Sequence, residues 1–261
     1  QQKLPVIIVG GGLAGLAASI EASRAGAQVF LLEKGAKIGG NSAKATSGIN
    51  GALTPAQVFT GASDSFEAFS EDVIKSGGGR SSPELVDIIV RRSSEAVSWL
   101  RSFGLNLSLL SQCGGHQAPR THRIPAGPDG RPVPVGWTTV NTVYKYVQDR
   151  KEEASGVVTN AHVTALITDE ESGEVTGVRY RQGQGDDANE EVEMLAASVV
   201  LTTGGYAYDR SEGSLLSEFA SEMLHLATTS GPQATGDGVR LGQAAGAALV
   251  DMDQIQVKYG W

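Results

Sequence analysis

The junction between an apolar run and a glycine-rich turn near the start of the chain constrains the fold more than any other feature. The run Val6–Val9 is too short for a buried helix, and its β-branched residues are typical of a central parallel strand. It is followed by glycines in the spacing G-x-G-x-x-G, at Gly10, Gly12 and Gly15. Apolar residues then recur at helical spacing up to Gly26, and the segment QVFLLE predicts a second strand that ends at Glu33. The sequence therefore predicts a βαβ unit.

The same unit predicts a dinucleotide site. In this spacing the first glycine forms the turn, the second admits a pyrophosphate, and the third packs the helix against the strand. The helix N-terminus then faces the negative phosphates. Glu33 follows at about twenty residues, where an acidic residue accepts hydrogen bonds from the ribose hydroxyls. An ordinary βαβ turn remains the alternative, and the unit alone does not distinguish NAD from FAD.

Composition narrows the class of partner. The chain of 261 residues has a formal net charge of -8, and its basic clusters are short. It therefore lacks the basic surface of a nucleic-acid-binding protein. A small molecule is the expected partner. Cys113 is the single cysteine, so the chain has no internal disulfide and no cysteine-based metal site, and we predict no metal. No apolar run reaches the ~18 residues of a membrane helix.

The next glycine-rich stretch favours a flavin. Residues 39–52 read GGNSAKATSGINGA and show neither the helical nor the strand period. Small residues of this kind let backbone N–H groups lie along a flat ring system, although a surface loop is the simpler alternative. The stretch resembles the flavin loop of the fumarate reductase and succinate dehydrogenase flavoprotein family, particularly the soluble fumarate reductases of eukaryotes.

Three later segments agree with this resemblance, which extends from about Val6 to Val257. A predicted strand, 199–202, enters a second glycine turn at Gly204. The hairpin pattern over 160–180 places Val163 where the family contacts adenine through its backbone. The segment TGDG places Asp237 at the start of a helix, where the family aspartate holds the ribityl chain of the flavin.

Motif and resemblance together imply non-covalent FAD. Asn41 stands where membrane-bound succinate dehydrogenases carry the histidine that links the flavin covalently. The implied cofactor contacts are Gly10, Gly12, Ala14, Gly15, Glu33, Lys34, Gly40, Asn41, Ser42, Thr46, Ser47, Gly48, Val163, Thr203, Gly204 and Asp237. We assign no catalytic residue.

The resemblance also implies a reaction and a boundary. In the family, reduced flavin delivers a hydride to one alkene carbon of fumarate and an arginine protonates the other, giving succinate. The family continues after QIQV with His-Pro-Thr and a capping domain, whereas Lys258 occupies the histidine position here. We therefore expect residues 1–257 to form the N-terminal segment of an FAD-binding domain and 258–261 a non-homologous tail. On this view the chain is truncated, without the capping domain, the C-terminal return segment or the substrate residues.

Other functions remain open. A ketosteroid dehydrogenase, urocanate reductase or aspartate oxidase shares the glycine pattern, and a non-catalytic FAD-binding fragment would retain the cofactor without turnover. A short-chain NAD dehydrogenase needs Tyr-x-x-x-Lys, and none of the six tyrosines has a lysine four residues on. The sequence does not indicate the electron donor or the oligomeric state, and we expect a cytoplasmic or mitochondrial location.

The remaining chain predicts helices and one polar loop. An apolar stripe that we expect to be core comprises Leu85, Ile88, Ile89, Ala96, Val97 and Leu100. Start signals precede two helices, at Thr54 and at Ser82. The loop over 112–132 gathers His116, Arg120, His122 and Arg123, which either line the flavin or serve as surface charges and partners of loop carbonyls. The predicted fold class is α/β, a Rossmann-like FAD-binding domain with a parallel sheet and a small antiparallel β insertion.

Overall fold

The computed structural model describes residues 3–149, 156–183 and 190–256. The chain divides into two compact units, the first formed by residues 1–42 and 144–261 and the second by residues 43–143. The predicted tail 258–261 and the boundary at Val257 lie outside the described residues. Within the described ranges no helix is long and apolar enough to cross a membrane.

The strands are β1 Val6–Val9, β2 Val29–Glu33, β3 Ile49–Asn50, β4 Leu109–Ser111, β5 Thr121–Arg123, β6 Gly156–Thr159, β7 Ala161–Thr168, β8 Val175–Gln182, β9 Glu190–Leu195 and β10 Ser198–Leu201. The helices are α1 Leu13–Arg24, α2 Pro55–Thr60, α3 Phe66–Ser76, α4 Pro83–Ser102, α5 Val135–Asp149, α6 Leu215–Phe219 and α7 Asp237–Ala244. The predicted βαβ unit is confirmed, with its helix ending two residues before the expected glycine.

The first unit is built on a four-stranded sheet in the order β10-β1-β2-β6, and every neighbouring pair runs parallel. Its central strands are buried on both faces, which is why they read as continuous apolar runs. An antiparallel sheet, β7-β8-β9, joins the same core: Ile7 and Leu32 pack with Val163 and Val178. The predicted α/β class with a parallel sheet and an antiparallel insertion is therefore confirmed.

The second unit combines helices with a small sheet in the order β3-β5-β4. The start signals of its helices are confirmed: Thr54 and Gln57 form a reciprocal capping box for α2, and the Ser82 hydroxyl caps α4. The small antiparallel sheet was not predicted, because its strands of two or three residues are too short to show an alternating pattern.

The predicted apolar stripe of α4 is wrong in most of its members. Leu85, Ile88 and Ile89 are 61%, 54% and 60% exposed, and Ala96 is exposed too. The buried face instead comprises Val86, Val90, Ser93, Val97 and Leu100. The hydrophobic pattern did not predict this face because the face contains a polar residue, Ser93. The Ser93 hydroxyl donates to the carbonyl of Val90 and accepts from the amide of Ala52, so its hydrogen bonds are satisfied although it is buried.

The two leucines of α4 provide a matched test of this assignment. Leu100→Ala removes a side chain that is 4% exposed, so we expect the free energy of unfolding to fall by about 2–5 kcal/mol. Leu85→Ala removes the same atoms from the exposed face, and we expect a change within about 0.5 kcal/mol. Chemical denaturation followed by circular dichroism measures both. Equal losses would contradict the assigned face.

Candidate functional site

A cavity lies in the first unit, beyond the carboxyl ends of β1, β2 and β10. Its lining comprises residues 9–12, 14, 32–34, 40–42, 161–163, 201–205, 233, 234 and 237. Ligands of open parallel sheets bind in this position, because the loops that leave the strands converge there. The cavity is thus where the fold alone would place a ligand.

The glycines of the first turn have two different roles. Gly10 has a φ of 110°, and a Cβ there would lie 2.6 Å from the carbonyl oxygen of Thr202. A Cβ at Gly15 would lie 1.9 Å from the carbonyl oxygen of Gly10, so α1 could not approach β1 as closely. A Cβ at Gly12 would meet only Ser42 Oγ, at 3.4 Å, and the backbone oxygen of Gly39, at 4.0 Å. Gly10 and Gly15 serve packing, whereas Gly12 keeps the cavity open.

The N-terminus of α1 faces this cavity and is suited to an anion. Gly12 caps the helix without a side-chain hydrogen bond, and the first turn carries no acidic residue. One amide, that of Leu13, donates to Ser42 Oγ at 3.1 Å. The first amides of a helix have no partner within the helix, and its dipole favours negative charge. The missing Cβ at Gly12 leaves room for a phosphate to reach these groups.

Glu33 ends β2 with both carboxylate oxygens held by backbone. The amide of Gly11 donates to Oε2 at 2.7 Å, and the amide of Gly35 donates to Oε1 at 2.7 Å. The residue is 7% exposed and lines the cavity. A carboxylate has about four acceptor positions, so two remain after these bonds are made. The arrangement fits a ribose, whose neighbouring hydroxyls both donate.

A charged cluster lies next to Glu33. Lys34 Nζ donates to Asp237 Oδ2 at 2.7 Å and to Thr235 Oγ1 at 2.6 Å, and the Thr235 hydroxyl donates to Asp237 Oδ1 at 2.6 Å. His162 Nε2 lies 3.3 Å from Asp237 Oδ2. Burial raises the pKa of Asp237, but hydrogen bonds from His162, Lys34 and Thr235, with the Lys34 charge, hold that pKa well below its usual range. Asp237 is therefore ionised.

Asn41 connects the start of the predicted flavin loop to a later segment of the first unit. Its side-chain Oδ1 accepts from the amide of Gly231 at 2.8 Å and from Gln233 Nε2 at 2.9 Å. Gly40, just before it, has a φ of 48°. Segment 231–233 is therefore held against residues 40–42 at the rim of the cavity.

Most of the predicted contacts of the first unit line one cavity: Gly10, Gly12, Ala14, Glu33, Lys34, Gly40, Asn41, Ser42, Val163, Thr203, Gly204 and Asp237. Gly15 instead lies beneath the turn, as the packing glycine. Sequence reasoning missed Gly11, whose amide holds Glu33, and His162, which no motif marks. The position of His162 directly before Val163 was the one signal for it.

The other predicted contacts, Thr46, Ser47 and Gly48, belong to the second unit. Thr46 and Ser47 are exposed. Gly48 has a φ of 118°, and a Cβ there would lie 2.3 Å from the carbonyl oxygen of His122. The glycine is thus required by the approach of β5.

The polar loop of the second unit contains a buried charge cluster. Arg120, which is 0% exposed, donates to both carboxylate oxygens of Asp64 and, at 2.7 Å, to Asp72 Oδ2. Its guanidinium lies 4.5 Å from the centre of the Phe69 ring. A buried arginine needs such partners because an unpaired buried charge is very costly. Arg120 holds the unit together here. The prediction of a surface charge or a partner of loop carbonyls is wrong for this residue, because its partners are two buried carboxylates.

His122 is also buried, and burial lowers its pKa. Its Nδ1 lies 2.8 Å from the carbonyl oxygen of Arg120 and its Nε2 2.7 Å from Thr54 Oγ1. A neutral imidazole meets both needs, with Nδ1–H donating and Nε2 accepting. His122 thus satisfies a loop carbonyl, as the simpler of its two predicted roles requires. The described residues hold no cluster of histidine, cysteine and acidic side chains suited to a metal ion.

The glycine turn, the open helix N-terminus and the backbone-held carboxylate place the cavity in the class of α/β dinucleotide sites. Residues 5–258 match the family described as FAD binding domain. The chain belongs to this FAD-binding family, whose cofactor fits the groups that line the cavity.

Individual relatives agree with this membership. The chain is 40% identical to the fumarate reductase of Schizosaccharomyces pombe over 96% of its own length and 48% of that protein. It is also 40% identical to fumarate reductase 1 of Saccharomyces cerevisiae, over 97% of its own length and 52% of the relative. It therefore spans about half the length of these two relatives. Among solved structures, the open conformation of a flavocytochrome c3 fumarate reductase superposes with a TM-score of 0.88 at 32% identity, covering 98% of this chain and 43% of that one.

The two glycine roles can be separated by substitution. Gly15→Ala places a Cβ against the backbone of Gly10, so we expect the free energy of unfolding to fall by about 1–3 kcal/mol. Gly12→Ala adds the same atom where the fold has room, and we expect a loss of about 1 kcal/mol or less. Thermal unfolding of both variants gives the comparison. A Gly12→Ala protein as unstable as Gly15→Ala would contradict the distinction.

Proposed function

We propose that the chain is the FAD-binding part of a flavin-dependent oxidoreductase of the fumarate reductase type, with the cofactor held non-covalently. The observation that carries the proposal is the Glu33 carboxylate, fixed by two backbone amides beside the open helix N-terminus. Those two features bind the ribose and the pyrophosphate of a dinucleotide. The identity to two yeast fumarate reductases supports the reaction class.

Each part of the cavity takes one part of FAD in this proposal. Gly10, Gly12 and Ala14 present α1 to the pyrophosphate, and Glu33 accepts from the adenosine ribose. Residues 40–42 lead the chain toward the flavin. We further propose that the backbone of Thr46, Ser47 and Gly48 contacts the flavin ring, and that Val163, Thr203 and Gly204 complete the nucleotide site.

Non-covalent binding is supported by the chemistry of the loop. Residues 39–52 contain no histidine, cysteine or tyrosine that could form a bond to the flavin. Asn41 carries an amide, which is a poor nucleophile, and its oxygen is engaged by Gly231 and Gln233. In this proposal Asn41 orders the loop and forms no covalent bond to the cofactor.

The proposed reaction is the reduction of fumarate to succinate. When bound, FAD supplies hydride transfer to one carbon of the double bond. The described residues supply what that chemistry requires of a cofactor site: they hold the pyrophosphate, fix the ribose and order the loop. We assign none of them a role in proton transfer to fumarate, because the groups that hold Arg120 and His122 already use their polar atoms.

Cofactor retention tests the proposed site. The 261-residue chain, loaded with FAD and passed through a desalting column, is expected to keep the flavin absorption band. Acid precipitation is expected to leave all flavin in the supernatant, because no covalent bond holds it. Gly12→Ala is expected to fold and lose the band, since its methyl group occupies the space of the pyrophosphate. Flavin remaining with the precipitate would contradict non-covalent binding, and a yellow Gly12→Ala protein would contradict the proposed phosphate site.

Substrate choice needs its own assay. We expect fumarate to oxidise reduced viologen anaerobically in the presence of the FAD-loaded protein that carries this domain, with succinate as product. A 3-ketosteroid and L-aspartate, tested with a matching electron acceptor, represent the related flavoenzymes. Turnover of either in place of fumarate would contradict the fumarate reductase assignment, whereas retained FAD without any turnover would favour a non-catalytic FAD-binding module.

A further inference from the structure

Among the described residues that line the cavity, His162 is the single side chain with a planar ring. The others are glycines, small or aliphatic residues, amides, hydroxyls, one lysine and two carboxylates. His162 is exposed, with 53% of its side chain accessible. A planar base in this cavity therefore has one planar side chain available for stacking.

The backbone places His162 beside the end of β2. The amide of Asn160, in the turn between β6 and β7, donates to the carbonyl oxygen of Gly35 at 3.0 Å. Gly35 follows directly after Glu33 and Lys34, so the start of β7 is fixed next to the ribose-binding carboxylate. Along β7, Ala161 and Val163 are buried, and His162 between them points to the opposite face of the sheet.

Asp237 holds the imidazole in place. Its Oδ2 lies 3.3 Å from His162 Nε2 and 2.7 Å from Lys34 Nζ, so the two side chains share one carboxylate oxygen. The Thr235 hydroxyl donates to the other oxygen. Both oxygens of Asp237 are thus engaged by protein groups, and Lys34 is likewise held by Thr235 and Asp237. The His162 side chain is 53% exposed, so its ring is accessible to a ligand.

We propose that His162 is the stacking surface for the adenine of the dinucleotide, and that Asp237 is the residue that positions it. The inference rests on the proposed FAD site and deepens it. It also changes the role expected for Asp237 from a direct contact with the ribityl chain to the support of two neighbouring side chains.

The direction of the dinucleotide follows from the fixed groups. The adenosine ribose is held at Glu33 and the pyrophosphate at the N-terminus of α1. The base attached to that ribose must leave on the side away from the phosphates. The groups next to Glu33 are Lys34 and, through the turn at Asn160, His162. We place the base there. The flavin leaves from the other phosphate, toward residues 40–42.

Truncated ligands separate this role from general stability. In the 261-residue chain, His162→Ala is expected to raise the dissociation constants of FAD and ADP by about tenfold, because stacking on one base is lost. FMN lacks the adenosine, so its dissociation constant is expected to stay the same. His162→Phe keeps a ring without the bond to Asp237 and is expected to bind FAD within about threefold of the wild type. Isothermal titration calorimetry measures the four dissociation constants: those of FAD, ADP and FMN for His162→Ala and that of FAD for His162→Phe.

Thr164→Ala provides the matched control, because Thr164 is the next outward-facing residue of β7 and lies outside the cavity lining. It is expected to leave FAD affinity unchanged. Unchanged FAD affinity in His162→Ala, or an equal loss for FMN, would overturn the inference while leaving the FAD site intact. Failure of the wild-type chain to bind either FAD or ADP would instead overturn the proposed function, and this inference with it.

Discussion

The approach of α1 to β1 at Gly15 is the constraint on which the nucleotide site depends. A single Cβ there would lie 1.9 Å from the carbonyl oxygen of Gly10, so the helix would be pushed away from the strand. The helix N-terminus would then no longer point into the cavity. The Thr202 hydroxyl donates to the carbonyl oxygen of Gly10 at 2.9 Å, which ties the turn to the end of β10. The first turn is thus shaped by backbone packing, and the open N-terminus of α1 follows from that packing.

Glu33 and Asp237 illustrate two uses of a buried carboxylate. Glu33 is oriented by the amides of Gly11 and Gly35, which take one acceptor position on each oxygen and leave the others for a ligand. Asp237 is oriented by side chains, and their charge and hydrogen bonds outweigh the effect of burial on its pKa. Glu33 therefore keeps two acceptor positions for a ligand, whereas Asp237, with three protein donors, keeps one. The two carboxylates therefore differ in how the protein holds them.

Sequence reasoning was most successful where the fold imposes one residue type. The glycine turn, the strand ending at Glu33 and the caps at Thr54 and Ser82 each follow from a local rule, and each is confirmed. It failed where a partner distant in the sequence determines whether a residue is buried. The buried face of α4 includes Ser93, whose hydroxyl is satisfied by Val90 and Ala52, and no single-sequence pattern predicts that partner. The sequence predicts Arg120 to be a surface charge or a ligand contact, because it does not show that Asp64 and Asp72 pair with this side chain.

The pairing of β1 has a consequence for the order in which the protein folds. Val6 pairs with Val29 on one side and with Ser198 on the other, so the central strand joins residues from distant parts of the chain. Contacts of such long sequence separation form slowly, because a large loop must close before they contribute. The glycine turn stands near the start of the chain, yet Thr202, Thr235 and Asp237 must arrive before its cavity is complete. During synthesis the glycine turn therefore emerges well before Thr202, Thr235 and Asp237, and its cavity is complete only after these later residues have folded.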